Sequence, residues 1–181
     1  MASKIKVDQI QTNDGTGTIA LQNQLSGMTS ASMPTGSVLQ VVQTSTNTQI
    51  VDTTTDANVD LMSVNITPSS SSSKVLVIMT WFVGNWNPNG AYRLYRGSTS
   101  LAPAAAGYGG GTGFWAYDDA ASTTVHTMES HSFTYLDSPN TTSATTYKLA
   151  TDSSTSIFFN RSQQGSSGHS TSTITVMEIA G

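Results

Sequence analysis

The feature that most constrains the fold is a run of ten residues, Lys74 to Val83, that is apolar at almost every position. The run is too short to span a bilayer, which takes about 20 residues, and its Val, Ile and aromatic residues favour a strand. Because both faces of such a strand are apolar, both have to be covered. A sandwich strand in a monomer needs one dry face, so we expect a neighbouring subunit to cover the other.

The composition of the whole chain points the same way. Serine and threonine make up 55 of the 181 residues, charged residues only 10 %, and glutamate occurs twice, as Glu129 and Glu178. These residues form helices poorly and suit strands and turns. A hydrophobic fraction of 36 % with a net charge of −4 argues against disorder, which goes with low hydrophobicity and high net charge.

Strand patterns recur at short intervals from Ser37 onward. Met62, Val64 and Ile66 alternate with polar residues, and a serine run from Ser69 to Ser73 follows as a turn. The last pattern continues almost to Gly181, which predicts that the C-terminus is part of a sheet. The sequence therefore predicts an all-β fold, a β-sandwich of the jelly-roll type. The candidate strands are Val38–Val42, 58–67, Lys74–Val83, Ala91–Arg96, Thr124–Leu136, Thr145–Ala150, Ser156–Asn160 and Thr171–Ile179.

The N-terminal segment has a different pattern. Short alternating stretches flank a turn signal at residues 13–17, and residues 22–36 carry no sustained period. Two short strands are not stable alone in water, so we interpret residues 1–36 as an arm and linker that needs a partner, and residues 37–181 as the β-domain. The apolar residues expected to make that contact are Ile5, Val7, Ile10, Ile19 and Leu21.

Charge and composition also limit the partners. Seven basic residues are scattered singly in an acidic chain, so neither nucleic acid nor an anionic membrane surface is an expected partner. No apolar run is long enough for membrane insertion, and the start at Met1 to Lys4 lacks the apolar region of a signal peptide. We therefore expect a soluble product made in the cytoplasm. Without cysteine, the chain has neither disulfides nor thiolate metal sites.

Four segments carry a resemblance to a known family. They are Lys4–Gln11, Gly36–Val42, the stretch from Ile66-Thr67-Pro68 through the serine run to Val77, and Tyr92–Gly97. In this order, and spanning most of the chain, they resemble the small fibre and spike proteins of tailed bacteriophages, especially those that infect cyanobacteria and other aquatic bacteria.

The resemblance implies a homotrimer in the virion, made in the host cytoplasm. Residues 1–36 would attach it to another virion protein, and the β-domain would face outward toward the host. Because such domains occur on tail fibres, head fibres and capsid decorations, two alternatives stay open. One is a capsid decoration or cement protein that stabilises the head, and the other is a carbohydrate-binding module.

The residues do not assemble a recognisable catalytic site. His126 and His131 are five apart, which puts them on opposite faces of a strand, while Glu129 shares a face with His131. No Gly-x-Ser-x-Gly elbow occurs. The glycine-rich run at 107–113 lacks the Lys-Ser/Thr of a phosphate loop, and no calcium-ligand spacing follows Asp118-Asp119. We therefore predict no enzyme, no metal and no cofactor.

Aromatic residues are concentrated between positions 81 and 117, several of them in or beside predicted loops. Rings flanked by Asn and Asp are typical of sugar-binding surfaces, which predicts a contact with a host cell-surface glycan at the distal end of the domain. The alternative is that these rings close the end of the sandwich or pack at a subunit seam. The candidate ligand-binding residues are Trp86, Asn87, Asn89, Tyr108, Trp115, Tyr117 and Asp118.

Overall fold

The structure is a computed structural model that describes residues 33–52, 59–85, 90–101, 105–106, 112–113, 115–117, 128–151, 157–162 and 168–181. Every regular element in these ranges is a β-strand, which confirms the all-β prediction. The strands are β1 (Val38–Thr46), β2 (Ile50–Asp52), β3 (Asp60–Ile66), β4 (Lys74–Asn85), β5 (Gly90–Arg96), β6 (Thr99–Ser100), β7 (Ala105–Ala106), β8 (Thr112–Gly113), β9 (Trp115–Tyr117), β10 (Glu129–Asp137), β11 (Thr145–Thr151), β12 (Ile157–Phe159) and β13 (Ser172–Ile179).

Two antiparallel sheets contain most of these strands. In sheet I, β13 pairs with β1 on one side and with β4 on the other. Strand β10 pairs with the opposite edge of β4. Near the end of β4, β12 takes the place of β13 beside β4, and β2 takes the place of β1 beside β12. Sheet II has the order β3-β11-β5, and β6 and β9 share the outer edge of β5. Strands β7 and β8 pair separately. Both sheets are antiparallel throughout, an arrangement consistent with a β-sandwich.

The two sheets share one hydrophobic core. Inward residues of β4, such as Val77 and Trp81, belong to the same buried cluster as Leu94 of β5 and Leu149 of β11. In β3, the predicted alternation is confirmed, because Met62, Val64 and Ile66 are buried while Ser63 and Asn65 are exposed. Burial of these side chains from both sheets is the main stabilising contribution to the domain.

Strand β4 has two different faces within one chain. Its inward residues are at most 1 % exposed, whereas the outward Leu76, Ile78 and Phe82 remain half-buried. Both faces of β4 therefore carry apolar residues, as predicted. The inward face packs against sheet II, and the described residues of sheet II do not cover the outward face.

The strand position next to β4 in sheet I is shared by β12 and β13, which are separated by a loop that begins at Asn160. Strands β12 and β13 lie one after the other along the same edge of β4, so the chain leaves that edge and returns to it. Asn160 has a φ of 57°, in the left-handed region that asparagine tolerates better than most residues, and it is fully buried. Its amide donates to the carbonyls of Thr46 and Thr48 and accepts from the Ser172 hydroxyl at 2.6 Å. The side chain thus satisfies two backbone carbonyls next to the loop and holds the hydroxyl of the first residue of β13.

A buried carboxylate ties the two sheets together at the other end. Asp137 is the last residue of β10 in sheet I. Arg96 Nη1 donates to both of its oxygens, at 2.9 and 2.8 Å, and the Tyr147 hydroxyl donates to one of them at 2.7 Å. Arg96 and Tyr147 belong to β5 and β11 of sheet II. Because the partners come from both sheets, this network fixes one sheet relative to the other.

A second buried carboxylate, Glu178, holds the connection between β3 and β4. Both the backbone N–H and the hydroxyl of Ser69 donate to Oε1 at 2.7 Å, and Gln40 Nε2 donates to Oε2 at 2.6 Å. Burial by itself raises the pKa of Glu178, but the hydrogen bonds from Gln40 and Ser69 outweigh it and hold the pKa below its ordinary value. The carboxylate is therefore stabilised in its ionised form.

The beginning of the described chain is joined to its end. The Gly36 N–H donates to the Ala180 carbonyl, and the Ala180 N–H donates to the Ser37 carbonyl, both at 2.8 Å. These bonds extend the β1–β13 ladder by one step beyond Val38. The predicted inclusion of the C-terminus in a sheet is thereby confirmed.

We expect Arg96→Met to lower the free energy of unfolding by about 3 kcal/mol, because removing one partner of a buried ion pair leaves an uncompensated charge. The Asp137 side chain is only 7 % exposed. Urea denaturation at pH 7 measures the effect. The matched control is Lys148→Met, which removes an ion pair to Asp60 whose side chains are 26 % and 55 % exposed and should cost less than about 1 kcal/mol. Equal losses in the two variants would contradict the role given to Asp137.

Candidate functional site

Two of the predicted ligand-contacting residues, Trp115 and Tyr117, lie on β9 at one end of the two sheets. At this end β4 finishes at Asn85 and β5 begins at Gly90, so the segment 86–89 is a short connection between the two sheets. In the backbone ladder Tyr117 stands opposite Gly90, and Trp115 stands opposite Tyr92. The register therefore brings β9 beside the start of β5, next to the ends of the 86–89 connection.

The other predicted site residues lie outside the described part of the chain. These are the ligand candidates Trp86, Asn87, Asn89, Tyr108 and Asp118 and the attachment candidates Ile5, Val7, Ile10, Ile19 and Leu21. His126 lies outside it as well. For Trp115 and Tyr117 the structure gives the backbone register alone, so the choice between a sugar-binding surface and a closed sandwich end stays a prediction.

Beneath this end, a buried cluster contains two aromatic rings and an imidazole. Trp81 and His131 are direct neighbours across the β4–β10 ladder, with ring centroids 5.6 Å apart. Tyr92 of sheet II meets the Trp81 ring edge-on at 5.4 Å and lies 6.2 Å from His131. Trp81 and Tyr92 are completely buried and His131 is 8 % exposed. The three rings join sheet I to sheet II, and the backbone of Tyr92 pairs with that of the candidate residue Trp115 in β9.

The cluster disfavours charge on its polar members. Burial lowers the pKa of His131 to about 4, so the imidazole is neutral at pH 7. Burial also raises the pKa of the Tyr92 hydroxyl, and the negative charge of Glu129 adds to that effect. The His131 Nε2 and a Glu129 carboxylate oxygen are 3.9 Å apart, in line with the prediction that these two residues share a face. At neutral pH the cluster acts through packing between uncharged rings.

The described residues do not bring together a group of three or more histidine, aspartate or glutamate side chains that could hold a metal ion. In the same ranges there is no helix with the length and apolarity needed to cross a bilayer.

Sequence reasoning found part of this cluster and missed the rest. The spacing of two between Glu129 and His131 predicted that they share a strand face. The sequence did not indicate that His131 pairs with Trp81, which is fifty positions away in the chain. It also did not indicate that both residues contact Tyr92 in the other sheet. No local pattern carries that information, because it depends on the register between strands.

Comparison with known proteins gives no family for this chain. No protein-family model matches it, and no curated protein matches its sequence.

We expect the stability of the domain to fall between about pH 6.5 and pH 4 because His131 must become protonated on unfolding. Its pKa is lowered from 6.5 to about 4 in the folded chain, so between these pH values the unfolded chain binds more protons than the folded chain. The free energy of unfolding therefore increases as pH rises through this interval. The contribution is complete above pH 6.5 and decreases as pH falls toward 4. Urea midpoints measured in steps across this range should fall less steeply for His131→Gln than for the unmodified chain.

The matched control for this experiment is His169→Gln, since His169 is exposed and its Nδ1 lies 3.0 Å from the amide of Gln49. That variant should keep the steeper decrease. If His131→Gln and the unmodified chain show parallel curves, the neutral imidazole does not contribute to the pH dependence.

Proposed function

We propose that this chain is a non-enzymatic structural protein of a bacteriophage virion, a homotrimeric fibre or spike. Residues 1–36 attach it to another virion protein, and the jelly-roll domain at 37–181 faces outward toward the host surface. The observation that carries the proposal furthest is the strand order, taken together with the resemblance of the four segments to phage fibre proteins.

The strand order supports the jelly-roll part of this proposal. If the interrupted rows β1/β2, β6/β9 and β12/β13 are each counted once, the two sheets contain eight rows. Numbered along the chain, they are ordered first, eighth, third, sixth in sheet I and second, seventh, fourth, fifth in sheet II. The first row thus pairs with the eighth, the second with the seventh, the third with the sixth and the fourth with the fifth. Two four-stranded sheets connected in this way are the arrangement of a jelly roll.

Three of the four segments that carry the resemblance lie in the described part of the chain, on elements on which the fold depends. Residues 36–42 contain the first residues of β1, which pairs with β13, and the two residues before it that bond to Ala180. The stretch after Ile66 is the β3–β4 connection that Glu178 holds through Ser69, and Tyr92–Gly97 covers most of β5 and the turn that follows it. A likeness concentrated at structurally demanding positions is what shared architecture produces, which supports a comparison with fibre domains over chance similarity of common residues.

The experiment that tests the function is immunogold labelling of phage particles purified from a lysate, with antibodies raised against residues 37–181. We expect label on the particle surface, at the tail or at discrete head positions for a fibre or spike. Label spread evenly over the head would favour the capsid decoration or cement protein. Absence of the chain from purified particles would contradict every virion role and leave the carbohydrate-binding module.

Removal of the arm tests whether attachment to the particle depends on the N-terminal residues while folding depends on residues 37–181. We expect a chain lacking residues 1–32 to fold and to lose its attachment to particles, because Gly36 and Ser37 retain their bonds to Ala180. A chain lacking residues 1–42 is the comparison, since it also loses half of the β1–β13 ladder and should unfold at lower urea concentration. Unfolding of the shorter deletion would show that the arm belongs to the domain.

The proposed contact with a host glycan is tested at the aromatic candidates. We expect Trp86→Ala, Trp115→Ala and Tyr117→Ala, made one at a time, to reduce binding on a glycan array or to host cells. As surface truncations, they should change the free energy of unfolding by no more than about 0.5 kcal/mol. A loss of about 3–5 kcal/mol, typical of a buried large aromatic residue, would instead assign that ring to the closed end of the sandwich.

A further inference from the structure

The outer face of sheet I carries an apolar row that crosses all four of its main strands. Val41 of β1 stands opposite Met177 of β13, which stands opposite Leu76 of β4, which in turn stands opposite Leu136 of β10. Val41 and Leu136, at the two edges, are 56 % and 51 % exposed, and the two residues between them are half-buried. We call these four residues the apolar row.

The apolar row continues into a largely uncharged surface. Beside it, Val38 is 50 % exposed and stands opposite Ile179. On the other side the ladder positions are occupied by uncharged polar residues and by Ile78 and Phe82 of β4. The polar members are Gln43, Ser45, Thr80, Ser130, Ser132, Thr134, Thr173 and Thr175. Among the outward ladder positions of β1, β4, β10 and β13, one side chain is charged. It is that of Lys74, at the corner of the face beside Ile179.

The solvent side of sheet II has a different character. There Lys148 forms an ion pair with Asp60 at 2.8 Å and lies over the Tyr95 ring, 5.5 Å from its centroid. Arg93 lies on the same sheet, and Thr146 donates to Asn65 at 2.6 Å. Charged groups that interact with one another in this way are typical of a surface that stays in water. The two outer faces of the domain are therefore chemically distinct.

We propose that the outer face of sheet I is the surface through which one copy of this chain contacts a second copy, with the apolar row at the centre of the contact. The inference rests on the homotrimer in the proposed function and adds to it the face that the subunits share. An apolar centre surrounded by uncharged hydroxyl and amide groups has the composition of a subunit interface.

Charge favours a second copy as the occupant. Two copies of a chain with net charge −4 repel each other, and a face without charges adds no close like-charge contact to that repulsion. Burying this face against a copy removes few charges from water, and burial of uncompensated charges is strongly destabilising. A glycan would be expected on a concave site lined with rings and orienting polar groups, whereas this surface is an open sheet face with its apolar side chains in a straight row.

The size of the face fits the same occupant. Four strands about 4.8 Å apart and nine residues long, at about 3.4 Å per residue, cover roughly 590 Å² in projection. A stable interface takes about 800 Å² from each partner. One copy can therefore obtain most of a standard interface from this face alone.

The test is sedimentation equilibrium of the full chain and of Val41→Asp and Leu136→Asp, each of which puts a carboxylate into an exposed position of the apolar row. We expect the unmodified chain to be trimeric at micromolar concentration and each variant to raise the apparent dissociation constant by about a hundredfold or more, because association would bury an unpaired charge. The matched control is Ser63→Asp, at an exposed position of β3 on the other sheet, which should leave the trimer intact.

Near-UV circular dichroism from the buried Trp81 shows whether each variant is folded. If an Asp variant does not fold, Val41→Thr and Leu136→Thr decide the question, because threonine keeps strand propensity while it removes apolar surface. Weaker association of the Thr variants then supports the proposal, and unchanged association overturns it.

The remaining outcomes separate this inference from the proposed function. A trimer that survives both Asp substitutions overturns the face and leaves the virion role intact. A monomeric unmodified chain overturns the shared face together with the homotrimer, while particle labelling still tests the virion role independently. Dissociation by Ser63→Asp as well would show that added charge, and not its place on sheet I, controls association.

Discussion

The pairing of β4 is the constraint on which the rest of the structure depends. This strand is twelve residues long, and its two edges are paired with β10 on one side and with β13 and then β12 on the other. On the second edge, no single strand of the described chain is as long as β4, so this edge is paired by two strands, β13 and β12, with a loop between them. Asn160 makes the interruption possible, since it adopts a left-handed conformation and its amide satisfies backbone carbonyls of the neighbouring row. The alternation of β4 then fixes which side receives sheet II.

Strands with a sustained period of two could be predicted from the sequence, with small differences at their ends. The candidate strand at 145–150 is one residue shorter than β11, and the candidate at 156–160 brackets β12. The first candidate ended at Val42, whereas β1 continues to Thr46, because Gln43, Thr44 and Ser45 look like a polar turn until they are paired with β13. Strand β2 was missed altogether, since three residues carry no measurable period. Its pairing with β12 stabilises it, and that contact is not local.

The polar contacts between the sheets could not be predicted, because each depends on distant segments meeting in one register. Arg96 and Asp137 are separated by 41 positions, and nothing near either residue indicates the other. The same holds for the candidate site, where the sequence identified aromatic residues near two loops but not the contacts among Trp81, Tyr92 and His131. A shift of one residue in the β4–β10 register would turn His131 away from the core and expose it. The exclusion of charge from this cluster is thus a consequence of register and not of composition.

Register also explains why one apolar run has consequences on both sides of sheet I. The run from Lys74 to Val83 supplies Leu76 and Ile78 to the outer face, which by themselves would make a narrow stripe on one strand. The stripe becomes a row across the sheet because β13 and β10 each place an apolar residue opposite Leu76, and β1 places Val41 opposite the one in β13. Those residues come from three separate parts of the chain, and none is required by the core, since their neighbours on the inward side already fill it. Single exposed apolar residues are common on soluble proteins, whereas contiguous apolar patches mark contact surfaces. Three of them meeting Leu76 in one line are more readily explained by a shared subunit contact than by independent exposure.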